Sequence, residues 1–258
     1  MKILIIGDIY STSGRLMVEK YLPKVREKYN INFIVANGEN IAHGNGITER
    51  YYHFLLDQHV NVVTMGNHTW GNAEIFKFIN NAKALIRPLN YPEGTPGVGY
   101  VTVKYNQTTI TVFQVLGRTF INQALDCPFM ATEKLLKEIK SDIYICDFHG
   151  EATSEKIAYG YHFDGRVNII VGTHTHVQTN DARILNNGTM YMTDLGMTGP
   201  LEGVIGVTPD DIFHRLLTGM PARHTPMVTG KKQFCGLLVE INENTHKVTK
   251  YDIINIVQ

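Results

Sequence analysis

Short, continuous apolar runs alternate along the chain with segments of helical spacing. The first run, "KILIIGD", ends in Gly-Asp and predicts a strand buried on both faces. After "IYSTSG", the stretch "RLMVEKYLPKVREKY" sets Leu16, Val18, Leu22 and Val25 at helical spacing, with Pro23 placed to bend it. "NFIVANGEN" predicts a second strand ending in polar residues, and "TERYYHFLLDQH" a helix with Thr48 as its N-cap. "VNVVTMGNH" predicts a third strand, followed by the helical "AEIFKFINN". Strand–loop–helix units in succession indicate an α/β arrangement whose first strands are parallel. In such sheets, ligands gather beyond the carboxyl ends of the strands.

The middle of the chain changes character. "RPLNYPEGTPGVGY" is rich in Pro and Gly and predicts a loop, leading to a hairpin around Asn106-Gln107 in "YVTVKYNQTTITVFQVLG". "ATEKLLKEIK" has helical spacing, while "DIYICDFHG" and "VNIIVGTHTH" predict strands that end in histidines. "ARILNNGTMYMTD" reads as a hairpin turning at Asn187-Gly188, and "QFCGLLVEIN" with "KVTKYDIINIV" as a terminal strand pair. The pattern as a whole predicts two packed sheets with outer helices. Without a repeat, linker or low-complexity segment, a single domain over 1–258 is expected.

Composition narrows the function. Hydrophobic residues make up 43% and charged residues 19%, enough apolar content for a substantial core. Lys plus Arg and Asp plus Glu balance at 24 each, with no basic block, so the electrostatic footprint of a duplex-binding protein is missing. Cys127, Cys146 and Cys235 are scattered without CxxC spacing, which argues against a disulfide framework and fits a reducing cytoplasm. No stretch approaches the ~20 apolar residues of a membrane span.

The candidate chemistry collects at the predicted strand ends: Asp8, Glu39, Asn40, Asn67, His68, His149, His174 and His176. Residues i and i+2 of an extended chain project to one side, so His174 and His176 are expected to face the same way. Carboxylates neutralise and bridge hard cations, imidazoles suit Zn, Fe or Mn, and an amide oxygen adds a neutral ligand. Such a set can hold two metal ions ~3.5–4 Å apart with a bridging carboxylate. Taken singly, Asp8 can cap a helix, and Glu39, Asn40 and Asn67 can form turns; the joint placement favours a metal site. His43 in "AHGNG" and Arg118 in "GRTF" are substrate-contact candidates, with loop packing and a surface ion pair as the respective alternatives. Asp147 and Asp194 are candidates to orient the histidines. "GDIYSTSGR" lacks the Lys-Ser/Thr of a P-loop.

"GNH" at Gly66–His68, "DFHG" at Asp147–Gly150 and "GTHTH" at Gly172–His176 resemble motifs of the calcineurin-like metallophosphoesterases. Within that superfamily, "GDIY…GR", "NGENIAHGNGIT", "MGNHTW", "RPLNYPEGTPG", "HGEATSEK" and "TDLGMTGP" resemble the YmdB-like bacterial phosphodiesterases over nearly the whole chain. Two positions depart from the wider superfamily. Asp8-Ile9-Tyr10 stands where Asp-x-His is usual, and Gly38-Glu39-Asn40 where Gly-Asp-x-x-Asp is usual; the YmdB-like subfamily shares both changes. The resemblance implies a four-layer α/β/β/α sandwich of two packed mixed β-sheets flanked by helices. It also implies Asp8, Glu39, Asn40 and His176 on one metal, with Glu39 bridging to a second metal held by Asn67, His149 and His174. His68 would be the general acid. Implied too are cyclic-nucleotide substrates, both 2',3' and 3',5', iron ahead of manganese or zinc, and a homo-oligomer. Spacing alone leaves open a phosphomonoesterase or protein phosphatase, and a non-catalytic regulatory protein holding metal.

Overall fold

Both faces of β1 (Lys2–Ile6) are covered, which accounts for its unbroken apolar run: Ile3 and Ile5 join one core cluster, Leu4 and Ile6 another. The computed structural model describes residues 1–258. After β1 come β2 (Asp8–Ile9), α1 (Ser11–Tyr29), β3 (Phe33–Asn37), α2 (Glu49–Asp57), β4 (Val62–Thr64), α3 (Ile75–Phe78) and β5 (Leu85–Ile86). β1, β3, β4 and β5 run parallel, as the alternation predicts. The Thr48 hydroxyl accepts from the Tyr51 N–H and caps α2. On α1, Val18, Leu22 and Val25 are buried together with Met17, whereas Leu16 faces solvent.

The chain continues through β6 (Tyr100–Tyr105), β7 (Thr108–Leu116), α4 (Pro128–Glu138), β8 (Ile143–His149), α5 (Thr153–His162), β9 (Ile169–Thr173), β10 (Arg183–Ile184) and β11 (Met190–Met192). It ends with β12 (Met197–Pro200), α6 (Pro209–Thr218), β13 (Lys232–Ile241) and β14 (Val248–Val257). The six-stranded sheet has the order β10-β11-β9-β8-β7-β6, parallel at its centre and antiparallel at both edges. The eight-stranded sheet runs β2-β12-β13-β1-β3-β4-β5, with β14 also paired to β13. Tyr105 pairs with Thr108, so Asn106-Gln107 is a two-residue turn, with Asn106 in the left-handed region.

Three cores separate four layers. Ile3, Ile5, Val35, Val112, Ile145 and Val171 pack between the sheets. Leu4, Val18, Leu22 and Leu55 pack under α1 and α2, and Phe148, Tyr159, Phe163 and Leu135 under α4 and α5. The protein is thus an α/β/β/α sandwich of two mixed sheets. No helix is long and apolar enough to cross a membrane.

Two helices, α5 and α6, were not anticipated from the sequence. The buried face of α5 is Lys156, Tyr159 and Gly160, so its amphipathic period is disguised by a lysine and a glycine. A Cβ on Gly160 would stand 2.5 Å from the Tyr191 ring; only glycine lets the helix approach the sheet there. In α6 no residue is fully buried: Ile212 packs partly buried against Tyr10, Met197 and Val207, while Phe213, Leu216 and Leu217 face outward.

Candidate metal centre

The carboxyl ends of parallel strands from both sheets meet at one edge of the sandwich. From the larger sheet, Asp8 follows β1, Glu39 and Asn40 follow β3, and Asn67 and His68 follow β4. From the smaller sheet, His149 closes β8, and His174 and His176 follow β9. Gly66 permits the closeness, since a Cβ there would collide with the Glu39 carboxylate and stand 2.6 Å from the His149 ring.

The expected residues form two neighbouring groups around Glu39. On one side, His149 Nε2 lies 2.8 Å from Asn67 Oδ1, 3.1 Å from Glu39 Oε1 and 3.1 Å from His174 Nδ1. Donor atoms of Glu39, His149 and His174 all fall within 4.8 Å of one another. On the other side, His176 Nε2 lies 2.9 Å from Asn40 Nδ2 and 3.9 Å from Asp8 Oδ1, and the Asn40 amide reaches Glu39 Oε1 at 3.4 Å.

His174 and His176 do not reach these groups by strand alternation. Their φ angles are 101° and 65°, so the segment is not extended, and the two rings diverge to opposite sides of the site. Left-handed backbone at non-glycine residues costs of order 1–3 kcal/mol and has to be held by its surroundings. Here the His174 N–H donates to Asp8 Oδ2 at 3.1 Å and the Thr175 N–H to Asp194 Oδ2 at 3.1 Å.

Each imidazole is pinned through one nitrogen and presents the other inward. The Thr173 hydroxyl donates to Asp147 Oδ1 at 2.6 Å, so toward His149 Nδ1, 2.8 Å away, it accepts; Nδ1 carries the proton and the Nε2 lone pair faces the centre. His176 Nδ1 donates to the Ile205 carbonyl at 2.9 Å, again leaving Nε2 inward. His174 Nε2 lies 3.1 Å from Glu151 Oε2 on the outer side, with Nδ1 turned inward. The inward nitrogens of His149 and His174 stand 3.1 Å apart, close enough to share a proton or to flank a cation. Asp8 Oδ1 is buried with no hydrogen-bond partner, an arrangement costly unless a cation satisfies it. Imidazoles whose outer nitrogens meet a hydroxyl, a carbonyl and a carboxylate while the inner ones face the centre have the supporting pattern of metal-ligating histidine. The donor set fits metal ions.

The electrostatics agree with this. Burial pushes the Asp8 carboxyl up to about 6, with His176 and His149 opposing. Burial would also raise Glu39, but His149 and His68 hold it down near about 2. Burial would lower His149, but Glu39, Asp8 and Asp147 raise it to about 9. The site therefore draws positive charge onto its most buried imidazole. His174 is lowered to about 3 by burial and by the charge of His149.

His68 lies in a turn rather than at an extended strand end; the Thr69 N–H donates to the Gly66 carbonyl at 3.1 Å. Its N–H donates to Glu39 Oε2 at 3.1 Å, and its Nδ1 sits 2.9 Å from Asn40 Oδ1. The half-exposed ring also lies 3.7 Å from Glu39 Oε1, and burial lowers its pKa against the pull of Glu39. His43 is exposed on a left-handed turn, and no hydrogen bond or ion pair ties it to the cluster. The Arg118 side chain is exposed beyond β7 and forms no ion pair; only its backbone N–H is engaged, by Glu155 at 2.9 Å.

Asp147 orients His149 through Thr173, as anticipated in kind. It also accepts from Thr64 at 2.6 Å, Gln114 at 2.9 Å and Asn37 at 3.1 Å, tying both sheets beneath the site. Asp194 touches no imidazole; it pairs with the buried Lys156 at 2.8 Å and fixes the Thr175 backbone. Thr173, Glu151, Asn37, Gln114 and Lys156 are supporting residues the sequence reading missed. A polar residue inside an apolar run, as in "IVAN" and "VFQVL", was the available signal for Asn37 and Gln114; Lys156 left none.

A sequence profile described as "YmdB-like protein" matches residues 4–254. The chain belongs to the YmdB-like family. Among its relatives is a "2',3'-cyclic-nucleotide 2'-phosphodiesterase" of Bacillus subtilis, 48% identical over 258 residues and covering 99% of this chain and 97% of the relative. A crystal structure of a Thermus thermophilus protein superposes with a TM-score of 0.94 at 37% identity, covering 100% of both chains. That of a "novel phosphatase" from Mycoplasma pneumoniae does so at 0.94 and 35% identity, covering 100% of this chain and 93% of its own. This YmdB-like chain therefore shares its full-length architecture with solved relatives of clear sequence kinship.

Proposed function

We propose that the protein is a metal-dependent phosphodiesterase acting on cyclic nucleotides, of both the 2',3' and the 3',5' kind. The observation that carries the reading is the inward-facing donor set at the sheet junction, with Asp8 Oδ1 unpartnered in the interior. Asp8, Glu39, Asn40 and His176 would hold one ion and Glu39, Asn67, His149 and His174 the other. Iron is the first choice and manganese or zinc the alternatives, since imidazole and carboxylate ligands suit all three. When bound, two such ions supply Lewis-acid charge to the non-bridging phosphate oxygens and lower the pKa of a water molecule. The name of the Bacillus subtilis relative supports a diester over a monoester.

His68 is assigned the proton transfer. Asn40 Oδ1 accepts from its Nδ1 and fixes the ring, which directs Nε2 toward the open side of the site. From there Nε2 protonates the nucleoside oxygen that leaves phosphorus, a role suited to imidazole. Glu39 holds the His68 backbone N–H and so keeps the acid in register with the phosphate site. We place the protein in the cytoplasm, where its three unpaired cysteines, two of them buried, would stay reduced.

Turnover of a 2',3'-cyclic and a 3',5'-cyclic nucleotide by protein reconstituted with iron or manganese tests the reading. Loss of activity with chelator and its return with metal are expected. Metal-replete protein that cleaves p-nitrophenyl monophosphate but neither cyclic nucleotide would replace the reading with a phosphomonoesterase.

A further inference from the structure

Between β7 and α4 the chain runs from one proposed ligand to another. It starts at His149, whose carbonyl accepts from the Gly117 N–H at 2.9 Å. Further on, Gln123 Nε2 donates to the Asn67 carbonyl at 2.9 Å. His149 and Asn67 are the pair whose side chains meet at 2.8 Å in the centre. The segment is fastened from outside by Glu155, which accepts from the N–H groups of Arg118 and Thr119 at 2.9 and 3.1 Å. Beyond Gln123 it is fastened again: the Asp126 N–H donates to the Asn90 carbonyl at 2.9 Å, and Asn90 Nδ2 to the Asp126 carbonyl at 2.9 Å. The smaller sheet thus delivers Gln123 to a turn of the larger one.

The bond falls on a particular peptide. The Asn67 carbonyl belongs to the unit that joins Asn67, a proposed ligand, to His68, the proposed acid. A trans peptide points its C=O and N–H in opposite directions. Here Glu39 Oε2 holds the N–H end at 3.1 Å, and Gln123 holds the C=O end. The neighbouring carbonyls are served within the turn, Gly66 by the Thr69 N–H at 3.1 Å and His68 by the Gly71 N–H at 2.9 Å. The Asn67 carbonyl accepts only from Gln123. Packing does not account for an amide at this position. Gln123 Oε1 is buried without a hydrogen-bond partner, which is unfavourable beside an apolar side chain of the same length. What the amide adds is its Nε2 donor.

We propose that Gln123 is a positioning residue of the site: by clamping the Asn67–His68 peptide opposite Glu39, it sets both the aim of the Asn67 ligand and the register of the His68 acid. Gln123 acts only through the two residues that this peptide joins. The inference rests on the reading of the site as a metal centre with His68 as its acid.

Two variants test it. Gln123→Met keeps the length of the side chain and removes the donor, while Gln123→Glu keeps its shape and sets a carboxylate oxygen against the carbonyl. Metal-free Gln123→Met should unfold in urea at the wild-type midpoint, because it exchanges one unpaired oxygen for another. Its manganese affinity, measured by competition with a chelator, should weaken about 10–100-fold for one of the two ions and stay unchanged for the other. At saturating manganese, kcat on adenosine 2',3'-cyclic phosphate should fall about tenfold or more with KM little altered. The fall should be smaller on a p-nitrophenyl diester, whose leaving oxygen needs little help from a proton. Gln123→Glu should do at least as badly in both measurements, whereas a side chain that only filled space could be replaced by either residue without these selective losses. An even weakening of both ions would overturn the proposal, and so would equal kcat losses on the two substrates. Wild-type behaviour of Gln123→Met, beside a wild type that binds two ions and cleaves the nucleotide, would overturn this proposal alone. A wild type that binds no second ion or turns over no diester would overturn the reading of the metal centre, and this proposal with it.

Discussion

The larger sheet brings carboxylates and amides to the shared edge, from Asp8, Glu39, Asn40 and Asn67, whereas the smaller sheet brings imidazoles, from His149, His174 and His176. The two sets are held differently. On the larger sheet Asp8 lies on β2 and the other donors sit in turns secured through backbone groups: the Glu39 N–H donates to Asn37 Oδ1 at 3.1 Å, and the Ser11 N–H to the Asn40 carbonyl at 2.9 Å. On the smaller sheet each ring is aimed by a partner on its outer nitrogen, and two buried acids stand behind them. Asp147 aims His149 through Thr173, and Asp194 with Lys156 fixes the strained turn that carries His174 and His176. The difference follows from the groups themselves. A carboxylate offers several lone-pair directions, while an imidazole offers one and must be turned to aim it. One sheet supplies charge, and the other supplies direction.

The largest effects should come from removing a donor on either side. His149→Ala and Asp8→Asn should both bring turnover to background and lower metal content, as read by elemental analysis beside activity. If His149→Ala alone lost metal, the larger sheet would not contribute as assigned, and the comparison would break. His68→Ala separates chemistry from metal holding. It should keep its metals while turnover on a cyclic nucleotide falls by about 10²–10⁴. The loss should shrink on a p-nitrophenyl diester, whose leaving oxygen needs little help from a proton. A matching loss on both substrates would mean that His68 stabilises the phosphate instead.

The support behind the imidazoles gives the next tier. Asp194→Asn leaves Lys156 buried and unpaired, which should cost about 3–5 kcal/mol in urea unfolding at neutral pH. Burial raises the Asp194 carboxyl, but the Lys156 charge and hydrogen bonds from Lys156, Gly196 and Thr175 outweigh it and hold the pKa below the ordinary value. A depressed acid contributes stability above its unfolded pKa of ~3.9 and loses it as pH falls through the lower folded value. The gap between wild type and variant should accordingly narrow below about pH 4, so a gap of constant size down to pH 3 would rule out the ion pair as its source. The smallest effect should be that of Thr173→Val, which keeps every proposed ligand and unties His149 from Asp147. Metal affinity measured by competition with a chelator should weaken about 10–100-fold, the usual range for losing such a partner.

Much of the larger sheet was legible because its strands announce themselves twice, as apolar runs and by the polar residues that end them. The smaller sheet was only half legible. Without α5 in view, nothing in "EATSEKIAYGYHFDG" revealed the crossover between β8 and β9, because its buried face holds Lys156 and Gly160. The expected convergence of His174 and His176 came from strand alternation, yet their backbone is left-handed and the rings part around the site. Asp194 was expected beside an imidazole and instead works through the Thr175 backbone and Lys156.

By itself the sequence determined which groups stand at strand ends, because a buried parallel strand must be apolar along its length and can turn polar only where it leaves the core. That placed Asp8, Glu39, Asn40, Asn67, His68 and His149 at strand ends before any tertiary contact was known. Which donors share a neighbour and which nitrogen of each ring faces inward were decided only by the folded structure. Those relations join residues far apart in the chain, such as Asp8 with His174 and Asn40 with His176. They are set by how two sheets pack, and local spacing carries no record of it.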